Sequence, residues 1–356
     1  MTFRRALLCS IVVSSVAVFL AAIARGNGPL PGVEISAGPA QMSAAAIDEL
    51  KAKFRRPAAI PFPKSNPFDE KKKDLGRTLF FDPRLSVTGT VSCASCHNPN
   101  LAWSDGLERG VGVTGIPLPR RTPGIVDAAW LTALMWDGRA DTLEQQAALP
   151  ITAEHEMGMP LDVLTKRLNE IDGYKTLFEA VFPGKEINAK TAIAALATYE
   201  RSLVSNKSSF DRWIDGDELA IAPAARRGFV VFNTTGRCNK CHSGWRFTDD
   251  SFHDIGLRSE DIGRGKFAPP SVTIMKHAFK TPSLRNARIS GPYMHDGSMK
   301  TMEEVLDHYE KGGELRPSLS PEMKPVKLSR QEKDDLVAFL ETLIGPPLAE
   351  KSPELP

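Results

Sequence analysis

The chain has 356 residues, of which 42% are hydrophobic, and a net charge of only +2. That near-neutral balance excludes the basic surface that nucleic acid or an anionic membrane would require. The length suits two domains of about 150 residues each, preceded by a leader.

Arg4 and Arg5 precede an apolar run from Ala6 to Ala24 that closes with Ala22-Ile23-Ala24. A charged start, an apolar middle and a small-residue ending make a secretory signal over residues 1–24. The run is also long enough for an uncleaved membrane anchor, but its serines and Ala-x-Ala ending favour cleavage. Cleavage after Ala24 removes Cys9 and leaves no membrane attachment. Residues 25–65 read as an N-terminal extension, with a flexible Gly/Pro-rich leader over 25–41 and a second Pro-rich stretch running from 56 to 67. The first confident helix follows, with Asn66 expected as N-cap and Pro67 at the first helical position.

Two pentads then dominate: Cys93-Ala94-Ser95-Cys96-His97 and Cys238-Asn239-Lys240-Cys241-His242. Cys-x-x-Cys-His is the attachment pattern of c-type haem. Two thiols bond to the haem and the adjacent imidazole ligates its iron. Zinc also uses Cys-x-x-Cys pairs, but the complete pentad occurs twice in a chain with one other cysteine. Two covalently bound haem c groups are therefore expected. Covalent haem requires an exported chain, so the signal and the pentads agree on a periplasmic location.

Between and beyond the pentads the sequence alternates helix and loop. Ile187 to Ser205 contains a helical stretch with Ile193, Leu196, Ala197 and Glu200 at helical spacings, expected to link two halves. Thr301 and Glu304 form a capping box, and Gly312-Gly313 ends that helix. Met302, Val305, Leu306 and Tyr309 share one of its faces. Ser329 and Glu332 form another box before the stripe Leu336, Val337, Phe339, Leu340, Leu343 and Ile344, which Gly345 and Pro346 stop. The expected fold is all-α: two cytochrome-c-like domains, residues 66–190 and 191–347, each with one haem facing the interface. Residues 348–356 form a tail.

An ordered set of further motifs resembles the bacterial dihaem cytochrome c peroxidases and their MauG-type relatives. It comprises Ser92–His97 with Trp103-Ser104-Asp105-Gly106, Met135-Trp136-Asp137-Gly138-Arg139-Ala140-Asp141, Gln145-Gln146 and Glu154-His155-Glu156-Met157-Gly158. The second half adds Phe252-His253-Asp254-Ile255-Gly256-Leu257, Thr281-Pro282-Ser283-Leu284-Arg285-Asn286 and Pro292-Tyr293-Met294-His295-Asp296-Gly297. The resemblance spans about residues 75–343. It implies that His97 holds a peroxide-reactive iron, with Glu156 as the proton-shuttling carboxylate, Gln146 beside it and Pro150 closing the pocket. Glu154 reads as an ordinary surface carboxylate, and His155 is expected to point elsewhere. His242 ligates the second iron. Tyr309 matches its other axial ligand, which is methionine in ordinary peroxidases and tyrosine in the MauG type; Met302, Met299 and His308 compete. Trp136 matches the tryptophan between the haems, able to relay charge so that both haems share the oxidising equivalents of peroxide, although a packed core indole is the plainer reading.

The chain departs from the family in three places. The loop Gly110-Val111-Gly112-Val113-Thr114-Gly115 has no histidine where many members block the first haem, so a five-coordinate iron is expected without reductive activation. Gly236-Arg237 precedes Cys238 where MauG has a tryptophan that exchanges charge with the partner protein whose tryptophans it converts to a quinone cofactor. Trp245 is a substitute there, or simply packed. Family calcium would use carbonyls around Ser290 and Pro292, but Arg121 replaces the asparagine ligand and cannot bind a cation, which argues against calcium. Three functions follow: a periplasmic dihaem peroxidase acting on hydrogen peroxide with a periplasmic electron donor; a MauG-like oxidase modifying a partner protein; or a dihaem electron carrier, disfavoured by the lack of a sixth ligand near His97. A monomer or homodimer fits each of them.

Overall fold

The computed structural model describes residues 42–356. The expected signal over 1–24 and the leader over 25–41 lie outside them. Among the described residues, helices are joined by long loops, and the only sheet pairs two two-residue strands, Phe252–His253 and Phe279–Lys280, antiparallel. No helix there is long and apolar enough to cross a membrane.

Helix starts follow capping chemistry. The first long helix of the haem region is Glu70–Phe81, and its N-cap is Asp69, whose carboxylate accepts from the Lys72 N–H at 2.8 Å. The expected Asn66 cap is corrected by three residues. Asn66 is instead buried, donating to Glu144 and the Ala194 carbonyl and accepting from Lys72 Nζ. The capping boxes at Thr301/Glu304 and Ser329/Glu332 both form, opening helices Met302–Lys311 and Arg330–Glu341. Each satisfies two backbone donors that the helix itself leaves unpaired.

Two apolar clusters organise these helices. The first runs from Leu75 to Leu203 and includes Phe80, Trp103, Leu164, Tyr174, Leu196 and Tyr199. The second gathers Phe210, Trp213, Phe229, Phe232, Phe247, Leu336 and Phe339. Helix Ala189–Ser202 packs in the first cluster. The expected boundary at residue 190 therefore falls inside a helix of the first core, and the chain changes cluster after Leu203. Phe54 is 2% exposed in the second cluster. It follows the helix Ala44–Lys53, so part of the segment read as an extension is core. The last residues return to the first half, where Arg84 donates to the Pro356 carbonyl at 2.9 Å.

Each half is closed by the same crossing of two helices. Gly76 lies against the backbone of Ala195 and the Cβ of Tyr199, and Gly228 lies against Asp335 and Phe339 in the same way. A side chain at either glycine would overlap the facing carbonyl. The match continues along the loops. Met135-Trp136-Asp137-Gly138 and Met294-His295-Asp296-Gly297 both begin at a methionine with φ of 69°. Both are closed by a bridge, Leu134 to Ala140 and Tyr293 to Met299. Thr142 and Thr301 then cap the helices that follow.

Candidate active site

The pentads fold alike. Each is a single turn in which the histidine N–H bonds back to the carbonyl of the first cysteine, at 2.8 Å in both halves. The next device fixes each imidazole. His97 Nδ1 meets the Trp103 carbonyl at 3.2 Å, and His242 Nδ1 meets the Phe247 carbonyl at 2.8 Å. A carbonyl only accepts, so each Nδ1 carries the proton and each Nε2 keeps its lone pair. Trp103 and Phe247 hold left-handed backbones, with φ of 58° and 57°, which turn these carbonyls towards the rings. Burial lowers both histidine pKa values, favouring the neutral form that binds metal. Burial likewise pushes the Cys96 thiol up to about 11 and Cys238 up to about 12. A neutral imidazole held through its Nδ1–H by a backbone carbonyl, beside two thiols, is the arrangement expected of haem ligands.

His97, Cys93 and Cys96 open on a cavity of about 570 Å3, also lined by Met135, Trp136, Gln146, Pro150 and Glu156. That volume lies within the usual ~300–1,000 Å3 range of ligand sites. Helix Leu143–Thr152 supplies Gln146 and Pro150 on one side, and its exit turn supplies Glu156. Burial raises the Glu156 pKa, opposed by the positive charge of Arg139. Glu154 and His155 point outward and are exposed. The glycine loop lies directly on this turn: Val113 N–H donates to the Glu156 carbonyl at 2.8 Å. A Cβ at Gly112 would overlap the backbone of His155 and Glu156. Gln146 Nε2 lies 3.8 Å from the Met135 sulfur.

Aligning the two Met-x-Asp-Gly motifs without gaps places Pro150 opposite Tyr309. The first half thus has a side chain with no donor atom where the second has a phenol. Tyr309 is half-buried beside Cys241 and Cys238, and its pKa is raised, first by burial. His308 Nε2 is bound to the Ile255 carbonyl at 2.8 Å, and Met302 packs in the second core. The Met299 carbonyl accepts from the Tyr293 N–H at 2.6 Å.

Trp136 stands where the halves meet. Its Nε1 donates to the Arg121 carbonyl at 2.8 Å, and its own carbonyl accepts from the Lys280 N–H at 2.8 Å. The ring lies edge-on to His295, 6.5 Å between centroids. Arg121 is 7% exposed, and its guanidinium donates to the Ser290 carbonyl and, at 3.3 Å, to Ser104 Oγ. The Ser290 carbonyl is therefore engaged by a fixed cation, and a calcium ion does not fit beside it. Trp245 packs edge-to-face on Trp130 at 4.9 Å, with the guanidiniums of Arg56 and Arg285 each 5.3 Å from its ring. The repeat of the Met-x-Asp-Gly motif was the signal that could have drawn attention to Met135 and to the Pro150–Tyr309 correspondence.

Similarity to known proteins agrees with this geometry. Residues 70–219 match the family described as di-haem cytochrome c peroxidase. The methylamine utilization protein MauG of Methylorubrum extorquens is 60% identical over 86% of this chain and 88% of its own length. This chain belongs to that family. The MauG of Methylophilus methylotrophus is 51% identical over 86% of this chain and 92% of its own. A crystal structure of a MauG-like protein associated with microbial copper homeostasis superposes with a TM-score of 0.76 at 31% identity, covering 82% of this chain and 95% of that one. As a di-haem cytochrome c peroxidase family member the chain is an oxidoreductase. The family implies two haem groups, and the two imidazoles with free Nε2 atoms are their fitting ligands.

Proposed function

We propose that the protein is a periplasmic dihaem c-type enzyme that reduces hydrogen peroxide at the haem of the His97 pentad. The observation that carries this reading is the correspondence of Pro150, on the wall of the His97 cavity, with Tyr309: at this position the first half offers no donor atom and the second offers a phenol. Haem supplies the redox chemistry of peroxide cleavage and the covalent hold through Cys93, Cys96, Cys238 and Cys241. The chain's own residues do the rest. Glu156, in a poorly hydrated pocket, takes the proton from the near oxygen of peroxide and returns it to the departing one. Gln146 offers an amide donor beside that path, and Pro150 and the Gly112 loop exclude water from it. His242 and Tyr309 would hold the second haem, and the hard anionic oxygen of a bound Tyr309 would favour oxidised iron. Trp136, on the wall of the His97 cavity and at the junction of the halves, would connect the two haems.

A second reading, oxidation of a partner protein in methylamine utilisation, is favoured by the 60% and 51% identities to two MauG proteins. It uses the same site and differs in where the oxidising equivalents go.

Optical and EPR spectra of the ferric holoprotein, followed by one equivalent of hydrogen peroxide, test the proposal. One high-spin and one low-spin haem, with a lasting oxidised state that is lost in Tyr309→Met, is the expected result. Two low-spin haems and no response to peroxide would leave an electron carrier and overturn both enzymatic readings.

A further inference from the structure

Glu200 is a buried acid that the reaction above does not use. It is 6% exposed on helix Ala189–Ser202 and lines the first cavity together with Cys93 and His97. Among the described residues its carboxylate has no hydrogen-bond or ion-pair partner, while its neighbour Arg201 is bound at two points to Glu144, 2.6 Å each. The helix crossing shared by the two halves shows what this position ordinarily holds. Tyr199 faces Gly76 as Phe339 faces Gly228, so Glu200 corresponds to Leu340, a member of the second apolar core. A carboxyl thus stands beside one haem cavity where the same architecture elsewhere uses a leucine. Leaving such a group buried and unpaired is costly, and burial pushes its pKa up to about 8.

We infer that Glu200 is the redox-linked proton site of the first haem, releasing its proton when that haem loses an electron and regaining it on reduction. The inference rests on the reading that this cavity holds haem. Peroxide takes two electrons in the proposed reaction; for the one that the first haem supplies, one proton leaves the Glu200 carboxyl to solvent, and the second haem supplies the other electron. The carboxylate that remains offsets the charge gained by the iron in a region of low dielectric. Reduction by the periplasmic donor reverses both. The other charges around Glu200 do not offer this proton. Arg201 and Glu144 pair with each other, and the Cys93 sulfur is consumed in haem attachment. On the elements packed against this helix, Lys72 is bound to Asn66, Arg77 to Glu350, Asp127 to Ser205 and Arg167 to the Arg84 carbonyl. Arg246 and Lys280 lie elsewhere on the cavity wall; burial pulls the Lys280 pKa down to about 8, the same region, so the assignment to Glu200 is made by the Glu200 variants below.

The test is the midpoint potential of the His97 haem in the full-length holoprotein, followed by spectroelectrochemistry across neutral and alkaline pH. In the wild type the potential falls as pH rises through the region near 8. Glu200→Leu, which copies the second half, and Glu200→Gln both flatten that fall, whereas Glu156→Gln keeps it. A wild-type potential independent of pH, or a fall unchanged in both Glu200 variants, overturns the inference and leaves the haem reading standing. Absence of haem at Cys93 and Cys96 overturns both.

Discussion

Trp136 is bonded to Arg121 at the junction of the two halves, and each of them also bonds to the second half. The indole Nε1 of Trp136 donates to the Arg121 carbonyl at 2.8 Å, while the Arg121 N–H donates to the His295 carbonyl at 2.8 Å and its guanidinium reaches Ser290. One residue therefore fixes the tryptophan and spans the interface with a permanent positive charge. Treating the holoprotein with a calcium chelator should leave its haem spectra and thermal midpoint unchanged. Arg121→Ala should cost about 1–3 kcal/mol, because the part-buried Ser290 carbonyl loses its donor. A chelator-induced change in the spectra would show that a bound cation, rather than Arg121, organises this junction.

Gly112 sets the position of Glu156. There is no room for a Cβ between the glycine loop and the backbone of residues 155 and 156. Gly112→Ala is expected to displace that turn at a cost of about 1–3 kcal/mol. Peroxide turnover should fall with haem content intact; equal turnover in the variant would mean that the turn does not depend on the loop.

The pH profile of peroxide reaction should carry the mark of Glu156. It must be ionised to accept a proton, and burial raises its pKa above that of a free glutamate, with Arg139 opposing. The rate should therefore decline on acidification earlier than an exposed carboxylate would dictate. Stopped-flow mixing with peroxide reads the limb directly. Glu156→Gln should abolish both the limb and most of the turnover, and a wild-type-like profile in that variant would remove Glu156 from the proton path.

Asp211 anchors the N-terminal segment to the second core. Its carboxylate accepts two bonds from Arg285, 2.9 and 2.8 Å, and pairs with Arg56 at 3.1 Å. Removing it strands two largely buried guanidiniums, so Asp211→Ala should cost about 3–5 kcal/mol. Denaturant unfolding of the holoprotein measures this, and a loss near zero would mean that the network adds nothing to the fold.

Glu200 gives a stability counterpart to its redox test. Its folded pKa is raised above the unfolded value by burial, so the folded state holds the proton more tightly and its stability declines as pH rises through that interval. Glu200→Leu has no such penalty. Its advantage over the wild type should widen from acid to alkaline pH, and an unchanging difference in thermal midpoint would contradict the burial argument.

The amino-acid sequence by itself determined the family of this protein and the outline of its helices. The two Cys-x-x-Cys-His pentads and the capping boxes at Thr301 and Ser329 are local signals, complete within a few residues, and each forms as its residue types dictate. At the helix start expected at Asn66, burial decided: Asn66 was drawn to Glu144 and Ala194, residues far along the chain, and Asp69 caps the helix instead. Only the tertiary structure joined Gly112 to Glu156, bound the His308 imidazole to the Ile255 carbonyl, and filled the Ser290 carbonyl with Arg121. It also placed Glu200, spaced along its helix with core residues, against the first cavity without a partner. Spacing along a helix identifies which residues share a face, but what that face meets depends on contacts between segments distant in the chain, and those contacts set the dielectric, the hydrogen bonds and hence the chemistry of each group.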